Sequence, residues 1–214
     1  VHWLPGIIQS FEAAYPNIDF RVLSGDYHDV EQWLSDGSVD VGFLTLPTAL
    51  ECRILPLCED RLLAVLPPEH PAAHLTRFPV QSCADEPFIT LLESSDRDSI
   101  RPLEEAGIVP NVKYKTKDDY AIIAMVEKGL GMSIMPELLL RGHLDKIHAL
   151  ELDPPARRVI ALAIPQESEN SPAALRFAEF VGQWLRENAP DLSARYKTAM
   201  KYKALAKKIG RAHV

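Results

Sequence analysis

One stretch of the chain combines residue types that could hold a small ligand. It is KDDYAIIAMVEKGLGMSIMP, from Lys117 to Pro136. Asp118 is a favourable N-cap, and the free N–H groups at the start of a helix can bind a polar ligand. Gly129 and Gly131 predict the end of this helix and a tight turn into a short strand. Two interpretations stay open: a helix and strand packed inside an α/β core, or a helix start that faces a ligand-binding cleft.

Other polar residues stand where predicted strands give way to loops or helices. Thr45 follows the strand predicted at residues 39–44, and Ser94 and Ser95 lie between a strand and a helix. A hydroxyl at such a position commonly caps the following turn, but the carboxyl ends of parallel strands also form ligand sites. Together with the helix start at Lys117, the chain has three such junctions, and these predict a polar ligand site in a cleft.

The sequence contains no arrangement typical of an enzyme's reacting groups. It has no GxSxG nucleophile turn, no P-loop and no HExxH zinc motif. Ser94 and Ser95 have no evident His and acid partners. His70 and His74 are four residues apart, but Pro71 keeps them off a regular helix, so we expect exposed loop histidines and no metal site. We therefore predict no catalysis, no cofactor and no metal.

The spacing of apolar residues predicts alternating strands and helices. Strands are predicted at residues 18–23, 39–44, 61–66, 88–91, 112–115, 132–135 and 159–163, and helices at 3–15, 26–37, 98–106, 118–128 and 172–186. Residues 18–44 read as strand, helix and strand without a tight hairpin, which implies parallel strands. The proline-rich segments near residues 66–68 and 154–158 predict two stiff crossings between lobes, with a cleft between the lobes.

These crossings predict the domain boundaries. One lobe is expected at residues 1–66 and 157–188, and an inserted middle lobe at 67–156. Residues 189–214 form a basic tail, expected to be a solvated appendage, and its end, IGRAHV at 209–214, resembles a translated sequencing adapter. The net charge is −7, of which residues 191–214 contribute +6, so the preceding residues carry −13. Such an acidic body is unsuited to gripping a phosphate backbone.

The composition is that of an ordinary globular protein, with 47% hydrophobic and 25% charged residues. Cys52, Cys58 and Cys83 are an odd number without CxxC spacing, which favours a reducing cytoplasmic setting over a disulfide framework. No apolar run approaches the roughly 20 residues that span a bilayer. The chain starts at Val1, without a methionine, so the absence of a signal peptide carries no information.

Six stretches, in order, resemble the effector-binding domain of LysR-type transcriptional regulators. They are WLPGIIQSFEAAYPNI, GSVDVGFL, LLAVLPPEHPAA, ADEPFITLLE, DDYAIIAMVEKGLGMSIMP and SPAALRFAEFVGQWL. The resemblance covers about residues 1–186. It implies an α/β fold, type II periplasmic-binding-protein-like, with two α/β lobes joined by two crossover segments. By position it implies the ligand-binding candidates Thr45, Ser94, Ser95, Lys117, Asp118, Asp119, Tyr120 and Met132.

The resemblance also implies a function. The chain would be a small-molecule effector-binding domain that controls DNA binding by an N-terminal winged helix-turn-helix. By the same resemblance, that domain and the family's first strand are missing from this sequence. Expected partners are a small polar or anionic effector, DNA through that missing domain, and further copies in a homodimer or homotetramer, with no membrane. The alternative is a free solute-binding protein of the same fold, and a lyase or dehydratase is more distant. A helix-turn-helix upstream in the complete gene would indicate the regulator, and a signal peptide there would indicate the solute-binding protein.

Overall fold

A computed structural model describes residues 3–92 and 97–188. The basic tail at 189–214 and the pair Ser94 and Ser95 therefore lie outside the described residues. The elements in chain order are α1 (Leu4–Ala14), α2 (Tyr27–Ser35), β1 (Gly42–Leu46), β2 (Cys52–Leu66), β3 (Arg77–Pro79), β4 (Pro87–Leu91), α3 (Arg97–Glu105), β5 (Asn111–Thr116), α4 (Asp119–Glu127), β6 (Ser133–Pro136), β7 (His148–Pro165) and α5 (Pro172–Asn188). None of the described helices is long and apolar enough to cross a membrane.

The chain divides into two compact units. The continuous unit is Asp60–Arg158, and the split unit combines the residues before Asp60 with those after Arg158. Strands β2 and β7 each pass from one unit into the other, at residues 59–60 and 158–159. The lobe limits inferred from the prolines, at residues 67 and 156, stay a prediction.

In the split unit, helices α1 and α5 pack through aromatic side chains. The Phe11 ring is fully buried, and its centroid lies 4.6–5.6 Å from those of Tyr15, Phe20, Phe177 and Phe180. We call these five residues the aromatic cluster. Its ring pairs are mostly edge-to-face, the geometry that aromatic quadrupoles favour. The Trp184 indole N–H also donates to Ser10 Oγ at 3.0 Å, which fixes α5 against α1.

Strand β1 pairs antiparallel with the last part of β7, from Gly42 opposite Ala163 to Leu46 opposite Val159. The predicted strand at residues 18–23 is wrong. That segment belongs to no strand ladder in the described residues, and Val22 and Leu23 are exposed. Consequently, the parallel pairing expected from residues 18–44 is not found there. Alternation of apolar residues predicts an extended chain, but a strand also needs a partner, which local sequence does not specify.

In the continuous unit, β4 and β5 run parallel, from Pro87 opposite Asn111 to Leu91 opposite Thr116. Strand β6 pairs antiparallel with residues 62–65 of β2, and Phe88 of β4 forms a bridge with Met132 just before β6. Alternate side chains point to opposite faces of a strand and therefore build two cores. One core contains Phe88, Leu103, Met132 and Ile134 beside α3, and the other contains Ile89, Ile122, Val126 and Met135 beside α4.

Candidate ligand site at the carboxyl ends of the parallel strands

Polar groups of the continuous unit gather where β4 and β5 end. Helix α3 follows β4, and helix α4 follows β5. Because the two strands are parallel, both helices begin at the same edge of the sheet, where α/β folds bind ligands. Each helix start carries N–H groups without intrahelical partners and the positive end of the helix dipole. Two such starts at one edge make it the candidate ligand site.

The start of α3 lies against two buried hydroxyls. Thr90 of β4 and Ser99 of α3 are both almost fully buried, and their Oγ atoms lie 3.5 Å apart. Asp98 precedes Ser99 in the first turn of the helix, where a negative charge is favourable. The predicted contacts Ser94 and Ser95 belong to the loop between Thr90 and this helix, outside the described residues. Their part in ligand binding stays a prediction.

The start of α4 confirms the predicted N-cap. Asp118 has an extended backbone, and its Oδ1 accepts from the Tyr120 N–H at 2.8 Å. The Asp118 N–H in turn donates to Thr116 Oγ1, at 3.2 Å, at the end of β5. Lys117, Asp118 and Tyr120 are exposed, whereas Asp119 is half-buried. The structure thus places four of the predicted ligand residues together at the candidate site.

Tyr120 is also part of a small aromatic surface. Its ring centroid lies 5.4 Å from that of His143, and 47% of the residue is exposed. A partly exposed aromatic side chain with a polar hydroxyl can contact both the apolar and the polar part of a ligand. The position of Tyr120 is therefore compatible with the predicted contact, which stays a prediction.

An ion network that the sequence analysis missed lies behind the two helix starts. Arg158 donates through Nε to Asp60 Oδ2 at 3.0 Å and through Nη1 to Asp98 Oδ2 at 2.7 Å. Asp60 is fully buried, and its Oδ1 accepts from the Leu138 N–H at 3.1 Å. A buried charge requires a partner, but Asp60 stands between Glu59 and Arg61, so no local signal marks it as the buried one. Its partner, Arg158, is the last residue of the continuous unit, far from Asp60 in sequence.

Asp98, Asp118 and Asp119 offset the positive charges of Arg97, Lys117 and Arg158 at this edge. Burial raises the pKa of Asp119, the nearby Arg158 charge opposes that shift, and the charges of Asp118 and Asp98 add to it. Asp119 therefore retains its proton to higher pH than an ordinary aspartate. This charge pattern opposes binding of a strongly acidic molecule, even though both helix starts favour anions.

Met132 packs in the core rather than at the edge. Its side chain is 1% exposed, its N–H donates to the Pro87 carbonyl at 2.8 Å, and its own carbonyl accepts from the Ile89 N–H at the same distance. A β-carbon at the preceding Gly131 would overlap the Pro87 carbonyl oxygen. Gly131 is therefore required for the close approach of these backbones. The ligand contact expected of Met132 stays a prediction.

Ser133, the next residue, has a buried hydroxyl without a hydrogen-bond partner in the described part of the chain. A hydroxyl removed from water without compensation destabilises the folded state. The strand pairing gives no account of this hydroxyl, because the backbone ladder with Val65 does not use it.

The remaining candidates lie elsewhere. Thr45 is a half-buried residue of β1 in the split unit, opposite Ile160, and its predicted contact stays a prediction. His70 differs from the expected exposed loop histidine, because its Nε2 lies 3.2 Å from Glu86 and its Nδ1 accepts from the Ala72 N–H. It caps a short 3-10 turn, a local role that a proline-rich sequence conceals. In the described residues, no His, Cys, Asp and Glu side chains group so as to hold a metal ion.

Comparison with known families identifies the fold. A family model described as the LysR substrate binding domain matches residues 1–186. The chain belongs to this family. The LysR effector-binding assignment and the type II periplasmic-binding-protein-like fold expected from the six stretches are thus confirmed.

Individual LysR proteins show how far the similarity extends. The HTH-type transcriptional regulator YvbU of Bacillus subtilis is 29% identical over 180 residues, which are 83% of this chain and 61% of YvbU. HinK, a LysR family transcriptional regulator from Pseudomonas aeruginosa, is 26% identical with a TM-score of 0.74, covering 85% of this chain and 66% of HinK. The chain therefore spans less than two thirds of the length of either LysR regulator.

Another similar solved structure is a regulatory domain with a bound ligand. The CcmR regulatory domain of Synechocystis PCC6803, in complex with 2-PG, superimposes with a TM-score of 0.80 over 88% of this chain and 93% of that domain. Its sequence identity is 18%, so this likeness concerns the fold.

Proposed function

We propose that this LysR domain binds a small polar or anionic effector at the carboxyl edge of β4 and β5. The observation that carries the proposal is the arrangement of two helix starts, α3 and α4, at one edge of a parallel strand pair. The contacts proposed for this edge are Ser94, Ser95, Lys117, Asp118, Asp119 and Tyr120. Thr45 and Met132 are retained as further candidates by position in the family.

The strength of binding must come from several contacts. A helix start contributes about 0.3–1 kcal/mol to holding an anion, and up to about 2 kcal/mol when partly buried. A neutral hydrogen bond adds about 1 kcal/mol. Because Asp98, Asp118 and Asp119 reduce the positive field, the effector carries at most modest negative charge and relies on hydroxyl and backbone contacts. The 2-PG complex of the CcmR domain supports a small anion as the first probe.

Within a whole regulator, the effector acts by shifting a conformational equilibrium. It can do so only by the difference between its affinities for the two states. The HTH-type regulators among the relatives support a role in transcription, with DNA read by a helix-turn-helix domain. Our proposal further includes a homodimer or homotetramer in the cytoplasm. We propose no catalysis and no membrane association for it.

Calorimetry on the 214-residue chain tests the ligand site. Titrants are a panel of small hydroxylated carboxylic acids, selected first by thermal shift, with 2-PG as a more strongly acidic comparison that should bind less tightly. The best titrant should bind about fivefold more weakly to Ser94→Ala, the equivalent of one lost hydrogen bond of about 1 kcal/mol. Thr45→Val tests the second candidate in the same way.

Thr76→Val provides the matched control, because Thr76 is an exposed hydroxyl of the continuous unit that belongs to neither β4 nor β5 nor the helices that follow them. It should bind the titrant like the unmodified chain. Unchanged affinity in Ser94→Ala and Thr45→Val alike would place the site elsewhere. Absence of saturable binding by the whole panel would contradict the proposed class of effector.

A further inference from the structure

The most buried charges of the described chain meet at Arg158. Its side chain is 16% exposed, and it joins the fully buried Asp60 of β2 to Asp98, whose side chain is 13% exposed, in the first turn of α3. Arginine presents its donors in a planar fork, so one side chain can hold two carboxylates in fixed directions. Arg158 uses this property to connect a strand to a helix start.

A second hydrogen bond links α3 to β7, the strand that carries Arg158. The Arg101 side chain donates through Nη2 to the Arg157 carbonyl at 2.6 Å. Asp98 and Arg101 are three residues apart and therefore lie on one face of α3. Two successive residues of β7 thus hold two successive turns of α3, and this arrangement fixes the position of the helix start.

The third carboxylate near Arg158 belongs to the other helix start. Asp119, in the first turn of α4, interacts electrostatically with Arg158, Asp98 and Asp118. Arg158 favours its charged form, and the two aspartates disfavour it. A single guanidinium therefore acts on the first turns of both helices that bound the candidate site.

We infer that Arg158 is a positioning residue of the effector site, which holds the first turn of α3 through its 2.7 Å bond to Asp98. This inference rests on the proposed location of that site. Arg158 makes no contact with the effector in this role. It determines where the N–H groups of α3 point, and its charge also favours the charged form of Asp119 in α4.

A purely structural role would be narrower. In that case Arg158 would only neutralise Asp60, and its loss would leave an unpaired buried charge that destabilises the unit. Stability alone cannot separate the two roles, because both predict that removal of Arg158 is costly. The ionisation of Asp119 does separate them, since neutralisation of Asp60 does not require any effect on that residue.

The experiment follows the Asp119 carboxyl by carbon-13 NMR during a pH titration of the 214-residue chain, without ligand. Asp98→Asn keeps the Arg158–Asp60 pair, removes one negative neighbour of Asp119, and should lower the titration midpoint of Asp119. Arg158→Gln removes the positive neighbour and should raise that midpoint. Arg158→Lys, which keeps the charge without the fork, should leave the midpoint close to that of the unmodified chain.

Hydrogen exchange at the amides of Arg101, Leu103 and Glu104, which donate to the preceding turn of α3, gives the second readout. Exchange should accelerate at least tenfold in Asp98→Asn and in Arg158→Lys, because both lose the fixed link to α3. If Arg158→Gln does not fold, the exchange rates of α3 in Asp98→Asn and Arg158→Lys still test the inference. An Asp119 midpoint unmoved in Arg158→Gln, or unchanged exchange at Arg101, Leu103 and Glu104 in both Asp98→Asn and Arg158→Lys, would overturn the inference. Since no effector is used, this result is independent of whether 2-PG or another acid binds.

Discussion

The two units of this LysR domain are stabilised by different kinds of contact. The split unit joins α1 and α5 through the aromatic cluster around Phe11, whose members attract mainly by burial and ring geometry. The continuous unit contains a buried ion network, at Asp60, Asp98 and Arg158, beside its two apolar cores. Apolar packing tolerates small shifts, whereas a hydrogen-bonded fork requires one geometry. The second arrangement suits the ligand site proposed for the continuous unit, where polar groups need fixed positions.

Removal of the Phe11 ring should produce the largest change in this comparison. Phe11→Ala removes a fully buried ring and should lower the free energy of unfolding by about 3–5 kcal/mol. Trp3, Trp33 and Trp184 all belong to the split unit, so urea unfolding followed by tryptophan fluorescence measures its loss directly. Phe180→Ala is the control, because Phe180 is only half-buried in the same cluster and should cost less. Equal losses would contradict a central role of Phe11.

Gly131→Ala should have the next largest effect, in the continuous unit. The new β-carbon overlaps the Pro87 carbonyl oxygen, so β6 must move away from β4, and we expect a loss of about 2–3 kcal/mol. Gly129→Ala is the matched control. Gly129 also has a positive φ, of 73°, but a β-carbon there meets open space, so only about 1 kcal/mol of backbone strain applies. Urea unfolding of both variants, with hydrogen exchange at Met132, measures the difference; similar losses would refute the overlap.

The smallest expected effects have opposite signs in the two units. Ser133→Ala removes a buried hydroxyl without a partner in the described chain, so the continuous unit should gain about 1 kcal/mol in stability. Ser168 of the split unit donates to Asp40 at 3.3 Å, so Ser168→Ala should lose about 1 kcal/mol. Thermal unfolding of the two variants measures both values. A loss in Ser133→Ala would show that its hydroxyl has an unrecognised partner.

Features governed by neighbouring residues could be predicted from the sequence. The N-cap at Asp118 and the helix end at Gly129 depend on residues within one turn, and the structure confirms both. The family resemblance rested on six such stretches and is also confirmed. The strand expected at residues 18–23 is wrong because alternation indicates extension but does not specify a partner.

Contacts between distant segments were not predictable in this way. Asp60 and Arg158 each look like an ordinary charged residue beside an apolar run, and only the fold brings them within 2.8 Å. Because a helix start can bind a ligand or simply be capped, the helix start at Lys117–Tyr120 remained ambiguous in the sequence. The structure places it beside α3, at an edge formed by parallel strands, which is the reason for proposing a site there.

The Asp60–Arg158 pair also has a consequence for how the chain folds. The split unit needs β1 to find residues 159–163 of β7 across the entire continuous unit. Closing a loop on the order of 100 residues costs about 4 kcal/mol of chain entropy, before any contact compensates for it. Asp60 and Arg158 are the first and last residues of the continuous unit, and their ion pair joins its two ends. Once that unit has folded, the two segments that must pair are already held close along the chain, so we expect the continuous unit to fold before the split unit.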